Sequence, residues 1–302
     1  MSRRITRLWG CAGLDVVVVE DPAEVDKHLE GAGLLGADAF DGPLMVQSLK
    51  KHANLRGVLW TAEPIDRVLR YVENEPRISS VFGRPNFEST PRDAELLMVA
   101  RRLARPSEPG IPFSSYLLWG FSGYEETIRD TAGRDAAVAR VQKFIEKIGV
   151  PKRVGEMLGE LAHELLMNAL YDAPVDPEGR HKYAQDRKAS ITVEEHEAAT
   201  LRLASDGVLV AIQVVDPFGR LERRHVFTGL ARGLKGGQMD QSHGGAGLGM
   251  VVCHNSTVAM IYDVLPNKRT EVTGLFDLDL NLREFRTQAK SLHFFQRDGR
   301  SG

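Results

Sequence analysis

Apolar residues along this chain fall into two textures. Over the first hundred residues, short unbroken apolar runs alternate with segments of helical spacing. Leu14–Asp21 (LDVVVVED) is a β-branched run closed by acidic residues and Pro22, and it predicts a buried strand. Pro22–Gly33 begins with proline and ends with glycine, as a helix should, and Leu44–His52 is also helix-like. Arg56–Glu63 predicts a second buried strand, Pro64–Glu75 a helix with proline in its first turn, and Ile78–Pro85 a third strand. Pro91–Arg105 places Leu96, Leu97, Ala100 and Leu103 on one helical face. Strands alternating with helices predict an α/β domain with a parallel sheet over residues 1–105.

Pro106–Pro112 (PSEPGIP) suits no regular element and marks a boundary. The aromatic stretch Phe113–Glu126 fixes no element by pattern. Residues 106–133 are therefore expected as a linker. From Arg134 to Tyr171 the spacing is helical, interrupted at Gly149 and Pro151. Lys188–His196, Thr200–Gly207 and Val208–Asp216 then read as three successive strands, which predicts antiparallel pairing. Glu222–Leu234 is helical, Lys235–Gly249 is a flexible glycine-rich loop, and Met250–Ser256 resumes a helix. Thr257–Leu265 and Thr270–Leu280 close with two strands. Residues 134–290 thus predict an α+β two-layer sandwich, and 291–302 a C-terminal tail.

Composition narrows the class without naming a chemistry. Hydrophobic residues make up 42% and charged residues 26%, as in soluble globular proteins. A formal net charge of −2 offers no general attraction to nucleic acid or to an anionic membrane. No apolar run approaches the roughly eighteen residues of a membrane span. Two distant cysteines, Cys11 and Cys253, fit a reducing compartment, and no signal peptide is read at the N-terminus. A cytoplasmic location is expected.

Three features could carry chemistry. The stretch HGGAGLGM, His243–Met250, holds four glycines in six residues before a helix. Such a loop can cradle phosphate through backbone N–H groups, or it can be a mobile surface loop. In HELLMNAL, His163–Leu170, Glu164 and Asn168 share a helix face. They form either the solvated edge of an apolar helix or a general base beside a metal-holding amide. Asp216 ends the apolar run VAIQVVD before a Pro-Phe-Gly turn. It caps that turn, or it accepts a hydrogen bond from an exocyclic amine.

In this order, helix with Glu-x-x-x-Asn, strand–Asp–turn–Gly, Gly-x-Gly-x-Gly loop and two closing strands, the segment Arg134–Leu282 resembles the GHKL ATP-binding domain. Sensor histidine kinases, anti-sigma-factor serine kinases, type II topoisomerases and MutL-type repair proteins share that domain, and the serine kinases are nearest in size. The resemblance implies ATP and Mg²⁺ as cofactors. It implies Glu164 as the base and Asn168 as the Mg²⁺ ligand. Asp216 would read the adenine amine, with Gly219 in its turn and Thr270 in support. Gly245, Gly247, Leu248 and Gly249 would wrap the phosphates, under a lid from about Thr228 to Gly244. Two departures stand out: Phe218 replaces a glycine, and NKRT lacks a glycine before Thr270.

The first domain resembles a degenerate response-regulator receiver. Thr61 matches the switch hydroxyl and Arg84-Pro85 the Lys-Pro pair. Asp21 lies at the wrong distance from Thr61 for the acidic cluster or the phosphoacceptor. Together the resemblances imply a cytoplasmic bacterial signalling protein that binds Mg-ATP and phosphorylates a partner protein, as a histidine or serine kinase does. The alternative is an inactive nucleotide-binding scaffold. The expected partner is a protein of a signalling pathway or a second copy of the chain, with no nucleic acid and no membrane.

Overall fold

A computed structural model describes residues 1–106, 110–235 and 247–297. The chain is an α/β protein that divides into two compact units: Met1–Ile111 with Arg286–Phe294, and Pro112–Phe285 with the residues from Phe295 onward.

In the first unit, strands β1 (Leu34–Asp38), β2 (Arg56–Thr61) and β3 (Ile78–Gly83) run parallel, with Asp38 opposite Trp60 and Thr61 opposite Gly83. Helices α2 (Gly42–Lys51) and α3 (Asp66–Asn74) make the crossovers, and α4 (Asp93–Ala104) follows β3. Strand β9 (Ser291–Gln296) adds antiparallel to β3 through Ser80↔His293 and Val81↔Leu292, so the sheet is mixed. Met45, Leu49, Leu59, Phe82 and Leu96 are buried in its core.

The N-terminal segment departs from the sequence expectation. Ser2–Cys11 forms helix α1, which buries Ile5 and Trp9 and packs on α4. Leu14–Asp21 forms no strand, and Val17 and Val18 are exposed. The expected helix from Pro22 shrinks to a short 3-10 turn, Pro22–His28. The first strand is instead LLGAD. A β carbon on Gly36 would lie 2.6 Å from the Trp9 ring and 2.8 Å from the Trp60 ring. Only a residue without a side chain lets both indoles cover this strand. Four valines favour extended backbone but choose no neighbour.

The second unit packs helices against an antiparallel sheet of order β7-β8-β6-β5-β4. Its strands are β4 (Ser122–Ile128), β5 (Ala199–Ser205), β6 (Leu209–Asp216), β7 (Ala259–Leu265) and β8 (Arg269–Asp277). Helix α5 (Thr131–Lys147) starts at Asp130, whose carboxylate accepts from the Gly133 N–H, and stops before Gly149 at φ 79°. Helix α6 (Lys152–Met167) follows Pro151 and packs on α5. A β carbon on Gly159 would meet the Gln142 amide at 2.6 Å, so that glycine sets how closely the two helices approach. Helices α7 (Arg223–Lys235), α8 (Leu248–Asn255) and α9 (Leu282–Thr287) complete the unit. Phe285 of α9 packs on Phe276 with ring centroids 4.8 Å apart.

Three elements escape the pattern reading. Ser122–Ile128, expected within the linker, is edge strand β4. Its exposed Glu125 pairs with Arg202 and its half-buried Glu126 with Arg140. Ser291–Gln296, expected as tail, is β9. Lys188–His196, expected as a strand, contributes one isolated bridge, Asp130↔Thr192, and a 3-10 turn at Glu195–Glu197. The Ile191 N–H bonds the Thr131 hydroxyl at 2.9 Å in place of a ladder partner.

Glu95 on α4 and His293 on β9 meet at 2.9 Å, both fully buried. Removing one member of such a pair strands the other in a dry core. Glu95→Ala is expected to lower stability by about 3 kcal/mol, read as a reduced urea midpoint.

Candidate functional site

Strand β6 delivers Asp216 to its buried C-terminal end. The Asp216 Oδ1 accepts from the Phe218 N–H at 2.9 Å and, more weakly, from the Gly219 N–H at 3.3 Å. Gly219, at φ 61°, lets the turn close, and a β carbon there would sit 2.1 Å from the Leu265 carbonyl oxygen. The turn is thereby pressed onto the β7–β8 hairpin. Thr270 stands directly opposite Asp216 in the ladder with β8. Its hydroxyl is buried beside the carboxyl and completes no well-formed hydrogen bond among the described residues. Burial pushes the Asp216 carboxyl up to about 6, against the pull of its backbone donors and Thr270. Phe218 is half-buried, next to this carboxyl.

Helix α6 carries Glu164 and is followed at once by Asn168, both half-buried. Asn168 begins a wider turn, Asn168–Asp172, in which the Ala173 N–H reaches the Asn168 carbonyl at 2.9 Å. Insertions of this π type often mark functional positions in helices. The turn packs on β6, the strand that ends in Asp216. Tyr171 anchors it: the Tyr171 hydroxyl donates to the Ala189 carbonyl at 2.8 Å and lies 2.9 Å from the Thr131 hydroxyl. This fixes the following loop, and Arg187 reaches back from it. Its Nη2 lies 3.4 Å from Asn168 Oδ1 and 3.3 Å from Asp172 Oδ2. His163 is held below its usual range by burial first, then by the Arg134 charge. It is therefore neutral near pH 7. Burial raises the Asp172 carboxyl, and Arg187 opposes that rise.

The glycine-rich segment reaches the same helix. A β carbon on Gly249 would lie 2.3 Å from Glu164 Oε2, so the first turn of α8 rests against that carboxylate. Buried Cys253, one turn further on, has its thiol pushed up by burial and then by the Glu164 charge. Gly247, at φ 151°, precedes α8, and a β carbon there would meet the Gly229 carbonyl at 2.9 Å. Leu248 is exposed. Gly245 and the part of the expected lid from residue 236 to 244 lie outside the described residues. Residues 228–235 of that lid belong to helix α7.

Comparison with known proteins identifies no family. No protein-family description matches the chain, and no curated protein does. A solved structure, the SiaB–SiaC complex from Pseudomonas aeruginosa, contains a similar chain at TM-score 0.32 and 11% identity, over 60% of this chain and 98% of that one. Among the described residues, no helix is long and apolar enough to cross a membrane.

In the first unit, the receiver-like positions gather at the C-terminal ends of the parallel strands, where α/β sheets bind ligands. The Arg84 N–H donates to the Thr61 carbonyl at 2.9 Å. At this end Asp38, the last residue of β1, pairs with the buried Arg84 guanidinium. Asp21 instead caps the short Pro22–His28 turn through the Ala23 N–H at 2.9 Å.

Sequence reasoning missed Arg187 and Asp38. Asp38 hides in LLGAD, a run too short and too rich in small residues to stand out. Arg187 belongs to an irregular loop, and only the Tyr171 anchor brings it to Asn168.

The two glycines that meet neighbours at close range predict opposite outcomes. Gly249→Ala meets only the movable end of a glutamate and gains helix propensity, so its stability should change by less than about 1 kcal/mol. Gly219→Ala meets backbone at a left-handed position and should cost about 2 kcal/mol or more. Chemical denaturation of the two variants checks the ranking.

Proposed function

We propose that the second unit binds an adenine nucleotide in the manner of GHKL proteins, and that the chain is a signalling protein acting through a protein partner. The single observation that carries this reading is Asp216. A buried carboxyl at a strand end uses Oδ1 for its own turn, while the neighbouring Thr270 hydroxyl is buried with its hydrogen bonding incomplete. Burial of this kind costs stability unless a ligand completes the set. An exocyclic amine donating to Oδ2 would do so, and a ring nitrogen accepting from Thr270 would complete the pair. The approach of Gly249 to Glu164 supports the same reading, because a ligand phosphate on the α8 N-terminus would lie beside a carboxylate able to act as base. In turnover, Glu164 takes the proton of an attacking hydroxyl or water, the γ-phosphoryl group moves to that oxygen, and ADP leaves.

A scaffold that binds nucleotide without transfer is the second reading. It is favoured by Asn168, whose side-chain oxygen faces Arg187. ADP formation, or a labelled protein on incubation with labelled ATP, separates the two.

The test of binding is a thermal shift with ATP. A ligand taken up only by the folded state raises its melting temperature. Wild type should be stabilised by millimolar ATP and Asp216→Asn should not. Equal shifts in both proteins, or none in wild type, overturn the reading.

A second prediction needs no ligand. The Asp216 carboxyl titrates near 6 in the fold against 3.8 as its ordinary value, so its charged form is disfavoured in the folded state. The penalty is absent below about pH 4, grows between pH 4 and 6, and is full above. Asp216→Asn keeps an oxygen for the turn, so it should match wild type near pH 4 and be more stable near pH 7. Denaturation midpoints across that range check the sign.

A further inference from the structure

We infer that Arg187 takes the charge-neutralising place that Mg²⁺ would hold at Asn168, so that nucleotide binding by this chain needs no divalent cation. The inference rests on the nucleotide reading above and goes beyond it.

The donor set at Asn168 does not suit a metal ion. Mg²⁺ needs close to octahedral oxygen ligands at about 2.0–2.1 Å. The one side-chain oxygen Asn168 offers faces a guanidinium, with Nη2 at 3.4 Å. Of the nearby carboxylates, Glu164 rests against the first turn of α8 and Asp172 is engaged by the same guanidinium at 3.3 Å. A dication on Asn168 Oδ1 would sit against a fixed positive charge.

The guanidinium suits an anion. Arg187 Nε is buried and has no hydrogen-bond partner among the described residues. Its Nη2 contacts are long for charge-assisted bonds, and its side chain is 29% exposed. It therefore holds donors in reserve, beside the helix that carries Glu164. The hydrogen bonds from Tyr171 to Ala189 and from Ile191 to Thr131 hold its loop in place. A planar fork with donors to spare is the group that binds phosphate oxygens bidentately. Arg187 is a binding residue in this proposal.

The experiment measures ATP affinity by calorimetry, once with excess Mg²⁺ and once with EDTA. It uses wild type, Arg187→Ala and Arg187→Lys, each checked for a native melting transition. Wild type should lose less than about threefold in affinity on removal of Mg²⁺. Arg187→Ala should lose at least about tenfold in EDTA, the worth of a charged hydrogen bond, and regain part of it with Mg²⁺ once the Asn168 oxygen is freed. Arg187→Lys should fall between the two, keeping the charge without the fork. Wild type that binds only with Mg²⁺, or an Arg187→Ala variant that matches wild type in EDTA, overturns the inference and leaves the nucleotide reading standing. Wild type that binds ATP in neither buffer overturns both.

Discussion

A carboxyl buried at the end of a strand sets the conditions for the rest of the second unit. Asp216 cannot be dry and charged without donors, so the chain turns back on it and supplies two backbone N–H groups. That turn needs a left-handed residue, which Gly219 provides. The turn then presses on the β7–β8 hairpin, whose register places Thr270 across from the acid. The β6–β8 ladder, from Leu209↔Asp277 to Asp216↔Thr270, keeps that arrangement in register. A shift by one residue would turn Thr270 to the opposite face.

Helix α6 is bound to this sheet by different means. Its inner face is apolar, with Leu158, Leu161, Leu165 and Leu166 buried, while Glu164 near its C-terminal end meets α8. Gly249 admits the Glu164 carboxylate, while Tyr171 carries the loop that brings in Arg187. The result places one carboxylate, one amide and one guanidinium on a short stretch of helix surface. The carboxylate meets a residue with no side chain, and the loop of the guanidinium is tied down by a buried hydroxyl.

Much of this was legible in the sequence, for physical reasons. Helices α5 and α6 announce themselves through long apolar stripes and through the Gly149–Pro151 break. Strands β6, β7 and β8 are long and strongly apolar. That Glu164 and Asn168 lie one turn apart follows from helix period alone, and the end of β6 at Asp216 from the apolar run that stops there. What escaped reading depends on contacts between distant segments. LLGAD becomes a strand because two tryptophans need a bare backbone to lie on, whereas four valines at 16–19 found no neighbouring strand among the described residues. Strand β9 joins β3 from across the sequence, and Arg187 reaches Asn168 only through a tyrosine hydroxyl. No window of local pattern contains such information.

Strand β4 pairs with β5 along one side, and its two glutamates are each clasped by an arginine from a neighbouring element. The exposed Glu125–Arg202 pair makes this border strand a poorer template for a foreign chain, because an incoming strand would have to approach a hydrated charge pair. A guard against edge-to-edge pairing is thus placed at the rim of this sheet rather than at its centre.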